Sequence, residues 1–452
     1  MQWNDDQAQA LDALRTYMCR GNRYENGTFV LAGLAGTGKT TLISAFLKEM
    51  AENGEKIALV APTGKAAAVL NSKQNIAVAQ TIHSLVYGAP HDPNIEVIEH
   101  IERLERRIDA HNSGLEPHPN IQEIKDELQK ICDKATRSFT GQGELQFVPK
   151  DPAEILDQYG FTVIVCDEAS MVAPEEVGRL ADLQLPTIYL GDPNQLFPVG
   201  YTNFAVPLDR PTAKLTQIMR QTNGSPILDL SRKIIAAGGM PRGVRDMAGI
   251  RAASGTNPLP LMFDADTKCI TYLNATRRSV NEIIRNAYHG TKVSADFPYL
   301  PFIGEKLMIN ANRREHGVMK GDEITITEIC KYGDGGPVSK YLAEIKFRDH
   351  RGTEKAMSIW LNDMMLSVGH SLGMEKPAYG DKIGFQAFKN NFIASKQSVD
   401  VAFPYAITCH KSQGSEWESV LVFNEGHKAY RQQYLYTAVT RARENLALAG
   451  VY

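Results

Sequence analysis

The sequence predicts an α/β protein built on two parallel-sheet cores, interrupted by one helical and one β insertion. Three observations carry this reading. Short apolar runs recur along the chain, each followed by a turn and then by a polar or helical stretch. The first run leads into a glycine- and lysine-bearing loop, and the runs of the far half have no such loop. Two stretches break the pattern, one with helical spacing and one with short strands joined by glycine turns. Buried strands carrying functional residues at their C-terminal ends have this appearance in parallel sheets.

The chain has 452 residues, about three times a ~150-residue domain, so two to four cores are expected. Hydrophobic residues make up 43% and charged residues 22%, which excludes a disordered, collagen-like or disulfide-scaffold chain. No apolar run approaches the ~18 residues of a membrane span, and Met1–Asp6 does not read as a signal peptide. The six cysteines are scattered without a CxxC pair, as expected of reduced thiols and not of a zinc site. These thiols fit a cytosolic compartment. The net charge of −3 gives no global sign of nucleic acid, so any such reading rests on local residues.

In the first core, Phe29–Ala32 precedes the glycine loop, Ile57–Val60 precedes Pro62-Thr63-Gly64, Val163–Cys166 precedes Asp167-Glu168, and Thr187–Leu190 precedes Gly191-Asp192. Ile270–Leu273, Leu421–Phe423 and Leu446–Leu448 mark the second core. Between the first-core runs, Ile98, Ile101, Leu104 and Ile108, then Ile121, Ile124, Leu128 and Ile131, recur at helical spacing. These read as a solvated helical hairpin or a partner-binding arm, with Gly141-Gln142-Gly143 as an exit or hairpin tip. Ile324–Thr327 and Tyr341–Ile345 flank Asp334-Gly335-Gly336-Pro337, with a further turn at Arg351-Gly352, as in a small barrel. The expected boundaries are 1–88 and 151–222 for the first core, 89–150 for its insertion, 223–303 and 401–452 for the second core, and 304–400 for the β insertion.

Gly33-Leu34-Ala35-Gly36-Thr37-Gly38-Lys39-Thr40 matches GxxxxGKT between an expected strand and the helical stretch Leu42–Leu47. Such a loop turns backbone N–H groups around phosphate oxygens at the positive end of a helix. Lys39 brings charge to the β- and γ-phosphates and the Thr40 hydroxyl is placed to ligate Mg²⁺. Asp167 is a second Mg²⁺ candidate, and Glu168 a candidate to orient or deprotonate the attacking water. The same two acids also suit a helix cap. Gln195 reads either as a γ-phosphate or water contact or as a turn residue. Asn4 and Gln7, ahead of the first helix, are candidates for an adenine edge. Arg220 and Arg441 are candidate arginine fingers, although spacing alone favours the reading as surface residues.

Further motifs follow in chain order: Ala61–Ala67, Thr81-Ile82-His83-Ser84-Leu85, Asp167–Ser170, Gly191–Val199, Leu215–Gln221, Tyr405–Trp417 with its HKSQGSEW segment, and Tyr436–Arg443 ending in TRAR. With the glycine loop, this ordered set resembles the superfamily 1 helicases, in particular the RecD-like and phage Dda-like 5′-to-3′ branch. The resemblance spans nearly the whole chain. It implies two tandem RecA-like P-loop cores with ATP between them, an SH3-like β-barrel inside the second core and a strand-separating pin inside the first. The first-core insertion is longer and more helical here than in that pattern, and the sequence names no pin tip.

By resemblance, Lys39, Glu168, Gln195, Arg220 and Arg441 are catalytic. Gln7, Gly36, Thr37, Gly38, Lys39, Thr40, Thr41, Gly414 and Glu416 bind nucleotide, and Thr40 and Asp167 hold the metal. Pro62, Thr63, Lys65, Thr81, His83, Thr408, His410 and Lys411 are expected to contact DNA, with Thr63 and nearby N–H groups holding a phosphate at a helix start. Alone, His83 would read as a core or capping histidine and His410-Lys411 as a loop. Phe197, Tyr201 and Phe204 offer base stacking or core packing.

The implied function is an ATP- and Mg²⁺-dependent DNA helicase that moves 5′ to 3′ on single-stranded DNA and unwinds duplex. Its expected partners are single-stranded DNA, tailed or forked duplex DNA, and replication or recombination proteins. The resemblance implies a monomer with no membrane partner. A single-strand translocase without unwinding shares every motif. A non-motor P-loop NTPase would need neither Arg441 nor the His410-Lys411 loop.

Overall fold

The protein is described by a computed structural model covering residues 3–19, 27–91, 100, 103–104, 106–108, 110–113, 119–138, 146–217, 225–244, 247–253, 267–292, 301–310, 318, 321–332, 340–348, 353–362, 401–426 and 428–450. The chain divides into two compact units. One comprises Met1–Val86, Lys150–Val293 and Pro404–Tyr452, and the other Tyr87–Pro149 and Ser294–Phe403.

The first unit contains two parallel sheets. Its larger sheet has six strands: β1 (Thr28–Gly33), β2 (Ile57–Ala61), β3 (Gln80–Thr81), β6 (Val163–Cys166), β7 (Thr187–Gly191) and β8 (Ala213–Leu215), in the order β3-β2-β6-β7-β1-β8. β1, β2, β6 and β7 are apolar because helices cover both faces, so nearly every residue in them is buried. Helix α1 (Asp5–Met18) opens on Asn4, whose side chain accepts from Gln7 N at 2.8 Å while Gln7 Oε1 accepts from Asn4 N at 3.3 Å. This reciprocal cap satisfies two end donors of the helix. Helix α2 (Lys39–Glu52) follows β1, and its Leu42, Ile43, Phe46, Leu47 and Met50 join Leu11, Leu14 and Phe29 in the first core cluster. Helix α3 (Gly64–Lys73) follows β2, and the one-turn α4 (Ile82–Val86) follows β3.

The second sheet runs β16-β10-β17-β18-β9, all parallel, from β9 (Ile250–Ala253), β10 (Lys268–Thr271), β16 (Ala406–Thr408), β17 (Trp417–Phe423) and β18 (Ala442–Ala449). Helices α8 (Pro226–Ala237), α9 (Asn274–His289), the short α10 (Cys409–Ser412) and α11 (Arg431–Val439) belong with it. Its core cluster gathers Ile227, Ile270, Val422, Tyr434, Tyr436 and Leu448. Leu196, from the loop after β7, is buried among them, and Leu34 of the glycine loop packs against them. The two sheets therefore meet through the loops at the strand ends of the first. β10 starts two residues earlier than the apolar run Ile270–Leu273 predicts. The cause is Lys268, buried in the strand with its ammonium donating to Pro404 O at 2.7 Å.

In the second unit, β11 (Lys306–Ile309), β12 (Glu323–Tyr332), β13 (Lys340–Arg348), β14 (Glu354–Asn362) and β15 (Val401–Ala402) form one antiparallel sheet in the order β14-β13-β12-β11-β15. Ile324 and Ile326, then Ala343, Ile345 and Phe347, are buried at alternate positions, as one-sided burial requires. Val401 and Ala402, expected in the second core, pair instead with β11. The 87–149 part holds an antiparallel pair, β4 (Tyr87–His91) with β5 (Gln146–Pro149), and helix α5 (Ile121–Ser138). Ile124 is buried there and Ile121, Leu128 and Ile131 are half-buried, while most of the positions between them face solvent. Ile98, Ile101, Gly141–Gly143, Asp334–Pro337 and Arg351-Gly352 lie outside the described residues. Among the described residues no helix is long and apolar enough to cross a membrane.

The ends of the 87–149 segment are fastened together in the first unit. Lys150 N donates to Val86 O at 2.9 Å, and Lys150 Nζ donates to Ser84 O at 2.9 Å and to Leu85 O at 3.2 Å. Helix α6 (Pro152–Tyr159) then begins on an Asp151 cap and leads into β6.

Candidate active site

The phosphate loop runs from the end of β1 to the start of α2. Gly36 (φ 80°) and Gly38 (φ 82°) both sit in the left-handed region, which glycine enters without strain. Gly38 caps α2 without a side-chain bond, so no side chain covers the helix's first N–H groups. Lys39 folds back on the loop and donates from Nζ to Gly33 O at 2.6 Å and Leu34 O at 3.0 Å. The Thr37 hydroxyl donates to Leu34 O at 2.9 Å. Thr40 is half-buried in the first turn of α2 and Thr41 is exposed.

Gln7 lies in the first turn of α1 and Asn4 caps that helix, so neither precedes it freely. Gln7 Nε2 donates to Thr37 O at 3.1 Å, which ties α1 to the loop. Asp6 accepts from Thr216 N at 2.7 Å, from the Thr216 hydroxyl and from Gln217 N at 3.2 Å, and these bonds hold its carboxyl below the usual range. Arg220, three residues further on, lies outside the described residues.

Strand β7 stands beside β1, with Ala32 opposite Gly191, and β6 stands on the far side of β7, with Cys166 opposite Tyr189. Asp167, Glu168 and Asp192 thus emerge next to the phosphate loop. Asp167 Oδ1 accepts from Glu168 N at 2.8 Å. Glu168 has φ 54° and ψ 41°, a left-handed conformation that is costly for a non-glycine residue and clusters at functional sites. Burial raises the pKa of both acids. The Glu168 N–H and the charges of Lys39 and Lys73 pull Asp167 partly back. Asp167 pushes Glu168 further up, while Arg441 and Lys39 oppose that and Asp192 adds to it.

Among the described residues no group of three or more His, Cys, Asp or Glu side chains could hold a metal ion unaided. The Thr40 hydroxyl and Asp167 carboxylate are both oxygen donors. Few protein ligands of this kind fit Mg²⁺, which usually completes its shell with phosphate oxygens and water.

The second sheet closes the other side. Arg441 follows α11 and is 4% exposed. It donates from Nε to Thr437 O at 3.0 Å, from Nη1 to Ser415 O at 3.3 Å and from Nη2 to the Thr440 hydroxyl at 3.2 Å. Its charge reaches Glu168 on the first sheet. Gln195 Oε1 accepts from Gln413 Nε2 at 3.3 Å and from the Ser170 hydroxyl at 3.4 Å. Gln413 Oε1 and Ser415 Oγ are buried and have no hydrogen-bond partner, so this interior has polar capacity to spare.

Tyr436 Oη donates to Asp192 Oδ2 at 2.7 Å and accepts from Ala35 N of the phosphate loop at 3.0 Å. Leu196 N donates to the Thr437 hydroxyl at 3.0 Å. Sequence reasoning singled out none of Tyr436, Asp192 and Gln413, although each sits inside a quoted motif.

The residues expected at DNA are spread over both sheets. Thr63 caps α3, its hydroxyl accepting from Ala66 N at 3.1 Å, and Pro62 precedes it. Lys65 Nζ lies 5.2 Å from the ring centre of Trp417 on β17, and Lys268 Nζ 5.8 Å from it. Thr81 Oγ1 accepts from Ser84 N at 3.1 Å. His83 Nδ1 is 3.1 Å from Glu176 Oε1 on α7 (Pro174–Ala181), with the ring half exposed. Thr408 ends β16 as the residue before α10, which carries His410 and Lys411. Burial lowers the His410 pKa, partly offset by a hydrogen bond with the Phe197 backbone.

Gly414 packs against α3, and Glu416 pairs with Arg443 at 3.5 Å. Phe197 packs 4.6 Å from Phe204 and 6.1 Å from Tyr430 between ring centres, and the Tyr201 hydroxyl bonds to Glu175 at 2.7 Å.

Gly414 yields a stability prediction. At φ 73° a side chain is strained, and a Cβ there would stand 3.3 Å from the Ala66 Cβ. Gly414→Ala is expected to cost about 1–2 kcal/mol, read by calorimetry as a lower unfolding midpoint. An unchanged midpoint would show that this contact relaxes freely.

Comparison with known proteins follows the same division. The family model described as an AAA domain matches residues 2–249, and that of a UvrD-like helicase C-terminal domain matches residues 403–449. An ATP-dependent RecD2 DNA helicase of Deinococcus radiodurans is 26% identical over 454 residues, covering 99% of this chain and 49% of its own length. An uncharacterized protein of Methanocaldococcus jannaschii is 24% identical over 495 residues, covering 98% of this chain and 38% of its own. The chain thus spans less than half the length of these relatives. A Bacteroides Pif1 bound to single-stranded DNA superposes with a TM-score of 0.53 at 14% identity, covering 100% of this chain and 93% of that one, and this likeness shows the fold.

Proposed function

The chain belongs to the AAA domain family, and from that premise we propose that it is an ATP-dependent DNA helicase of superfamily 1, in the RecD-like branch, moving 5′ to 3′ on single-stranded DNA. The observation that carries the reading is that Arg441, buried on the second sheet, lies near enough to half-buried Glu168 on the first for its charge to act on that carboxyl. A switch protein or small-molecule kinase needs no arginine from a second parallel sheet. The UvrD-like match over that sheet and the RecD2 relative support the same reading, and the polarity rests on the resemblance to that branch.

In this reading the phosphate loop and Lys39 bind the β- and γ-phosphates. Thr40 and Asp167 would hold Mg²⁺, which supplies positive charge at the phosphate oxygens when bound. Glu168 orients the attacking water and accepts its proton, a task that suits a carboxyl raised above its usual range. Gln195 is held by Ser170 and Gln413 beside that water. Arg441, joined by Arg220, meets the charge that spreads over the transferred phosphoryl group.

Thr63, Lys65, Thr81 and His83 on the first sheet, and Thr408, His410 and Lys411 on the second, contact the DNA backbone. Closing and opening of the two sheets during each ATP cycle then moves the strand. The antiparallel sheet of the second unit serves as the SH3-like barrel, and the 87–149 segment as the strand-separating insertion. The expected assembly is a monomer on tailed or forked DNA.

The test is ATP turnover with and without single-stranded DNA, followed by unwinding of duplexes tailed at either end. DNA-stimulated turnover with displacement only from a 5′ tail is expected. Turnover without displacement would leave a translocase, and DNA-independent turnover would overturn the motor reading. DNA affinity should fall with salt at a log–log slope of about −0.7 per phosphate neutralised, and a flat response would contradict backbone contact.

A further inference from the structure

We propose that Tyr436 is a positioning residue that couples the phosphate loop to Arg441; the inference rests on the nucleotide-driven reading above and deepens it. The phenol oxygen is buried at the junction of the two sheets, and Tyr436 is 1% exposed. It accepts from the Ala35 amide at the crown of the loop and donates to Asp192, whose other oxygen accepts from Asn194 N at 3.0 Å. One hydroxyl therefore ties three points together: the loop that holds phosphates, the segment that carries Gln195, and helix α11.

The path from Tyr436 to Arg441 is short. The Thr440 hydroxyl donates to Tyr436 O at 2.9 Å and accepts from Arg441 Nη2 at 3.2 Å. Thr437 O accepts from Arg441 Nε at 3.0 Å, while the Thr437 hydroxyl grips Leu196 N. The three hydrogen bonds of Arg441 go to Thr437, Ser415 and Thr440 on the second-sheet side, so its approach to the phosphates is set by where α11 is held. When the loop closes around a phosphate, the Ala35 amide carries Tyr436, and with it the helix, toward or away from the site.

Tyr434 provides an internal control. It is also a fully buried tyrosine of α11, but its hydroxyl donates to Phe423 O at 2.7 Å within its own sheet. A merely structural account treats the two alike; positioning separates them.

The test is steady-state ATP turnover at saturating single-stranded DNA in the full chain. Tyr436→Phe should lower kcat about tenfold, the effect of about one buried hydrogen bond, with KM for ATP within about threefold. Tyr434→Phe should leave kcat within about twofold. In an Arg441→Ala background Tyr436→Phe should cause no further loss, because it acts through that arginine. Equal effects of the two phenylalanines, or a full additional loss without Arg441, would overturn the assignment. Should Tyr436→Phe fail to fold, Asp192→Asn weakens the same acceptor while keeping its shape. It must then give the same Arg441-dependent loss, and an unchanged rate would overturn the proposal. Absence of turnover in the unsubstituted chain would instead strike the nucleotide-driven reading itself, and this proposal with it.

Discussion

Lys39→Ala is expected to reduce ATP turnover by about 10³-fold or more, the scale on which loss of one cation at the transferring phosphoryl group is felt. The same change should barely affect folding. Among the described residues the ammonium donates to two carbonyls of its own loop, Gly33 O and Leu34 O, at a half-buried position. Solvent can replace both bonds. Thermal unfolding and turnover should therefore separate cleanly: a midpoint within a few degrees of the parent, with activity near background. If turnover survives, the glycine loop is not where phosphate charge is met, and the Thr40 and Asp167 assignments fall with it. The resting position of the amine also implies that nucleotide must draw it from those carbonyls.

Arg441→Ala should lower kcat by about 10³-fold, at the lower edge of arginine-finger effects, with ATP still bound. The guanidinium also makes three hydrogen bonds at a buried position, so some loss of stability accompanies the substitution. Arg441→Lys separates the two effects. It keeps a charge near Glu168 but lacks the planar fork, so kcat should stay low.

The pH profile gives a further check. Arg441 holds the Glu168 pKa down against burial and Asp167. In its proposed role Glu168 must be ionised to accept a proton, so removing the arginine should raise the pH at which activity appears. The acid limb should move up in Arg441→Ala and stay in place in Arg441→Lys. A limb that does not move in either variant would place Arg441 electrically apart from Glu168.

The elements that carry chemistry were legible because central parallel strands are continuous apolar runs. Val163–Cys166 was read to the residue, and Thr187–Leu190 within one. β8 and β9 were not read, because each lies at a sheet edge and buries one residue in a run of only three or four. Lys268 hid the start of β10, since a lysine seldom sits inside a buried strand and here does so through a backbone carbonyl.

At the site, the glycine loop and the paired acids stand out as motifs. Tyr436 does not, because a tyrosine among Leu435, Ala438 and Val439 looks like core packing, and by burial it is core. Its polar role depends on Ala35 and Asp192, 401 and 244 positions away, a separation no local pattern encodes. The strained backbone of Glu168 is likewise a tertiary fact.

The fastening of Lys150 to Ser84, Leu85 and Val86 has an architectural consequence. Because the polypeptide departs and returns at one knot, the sheet registers on either side do not depend on what lies between. The entropy of closing such an excursion grows only logarithmically with its length. Residues 87–149 are thus expected to behave as a cassette, whose length can change while β2, β3 and β6 keep their register.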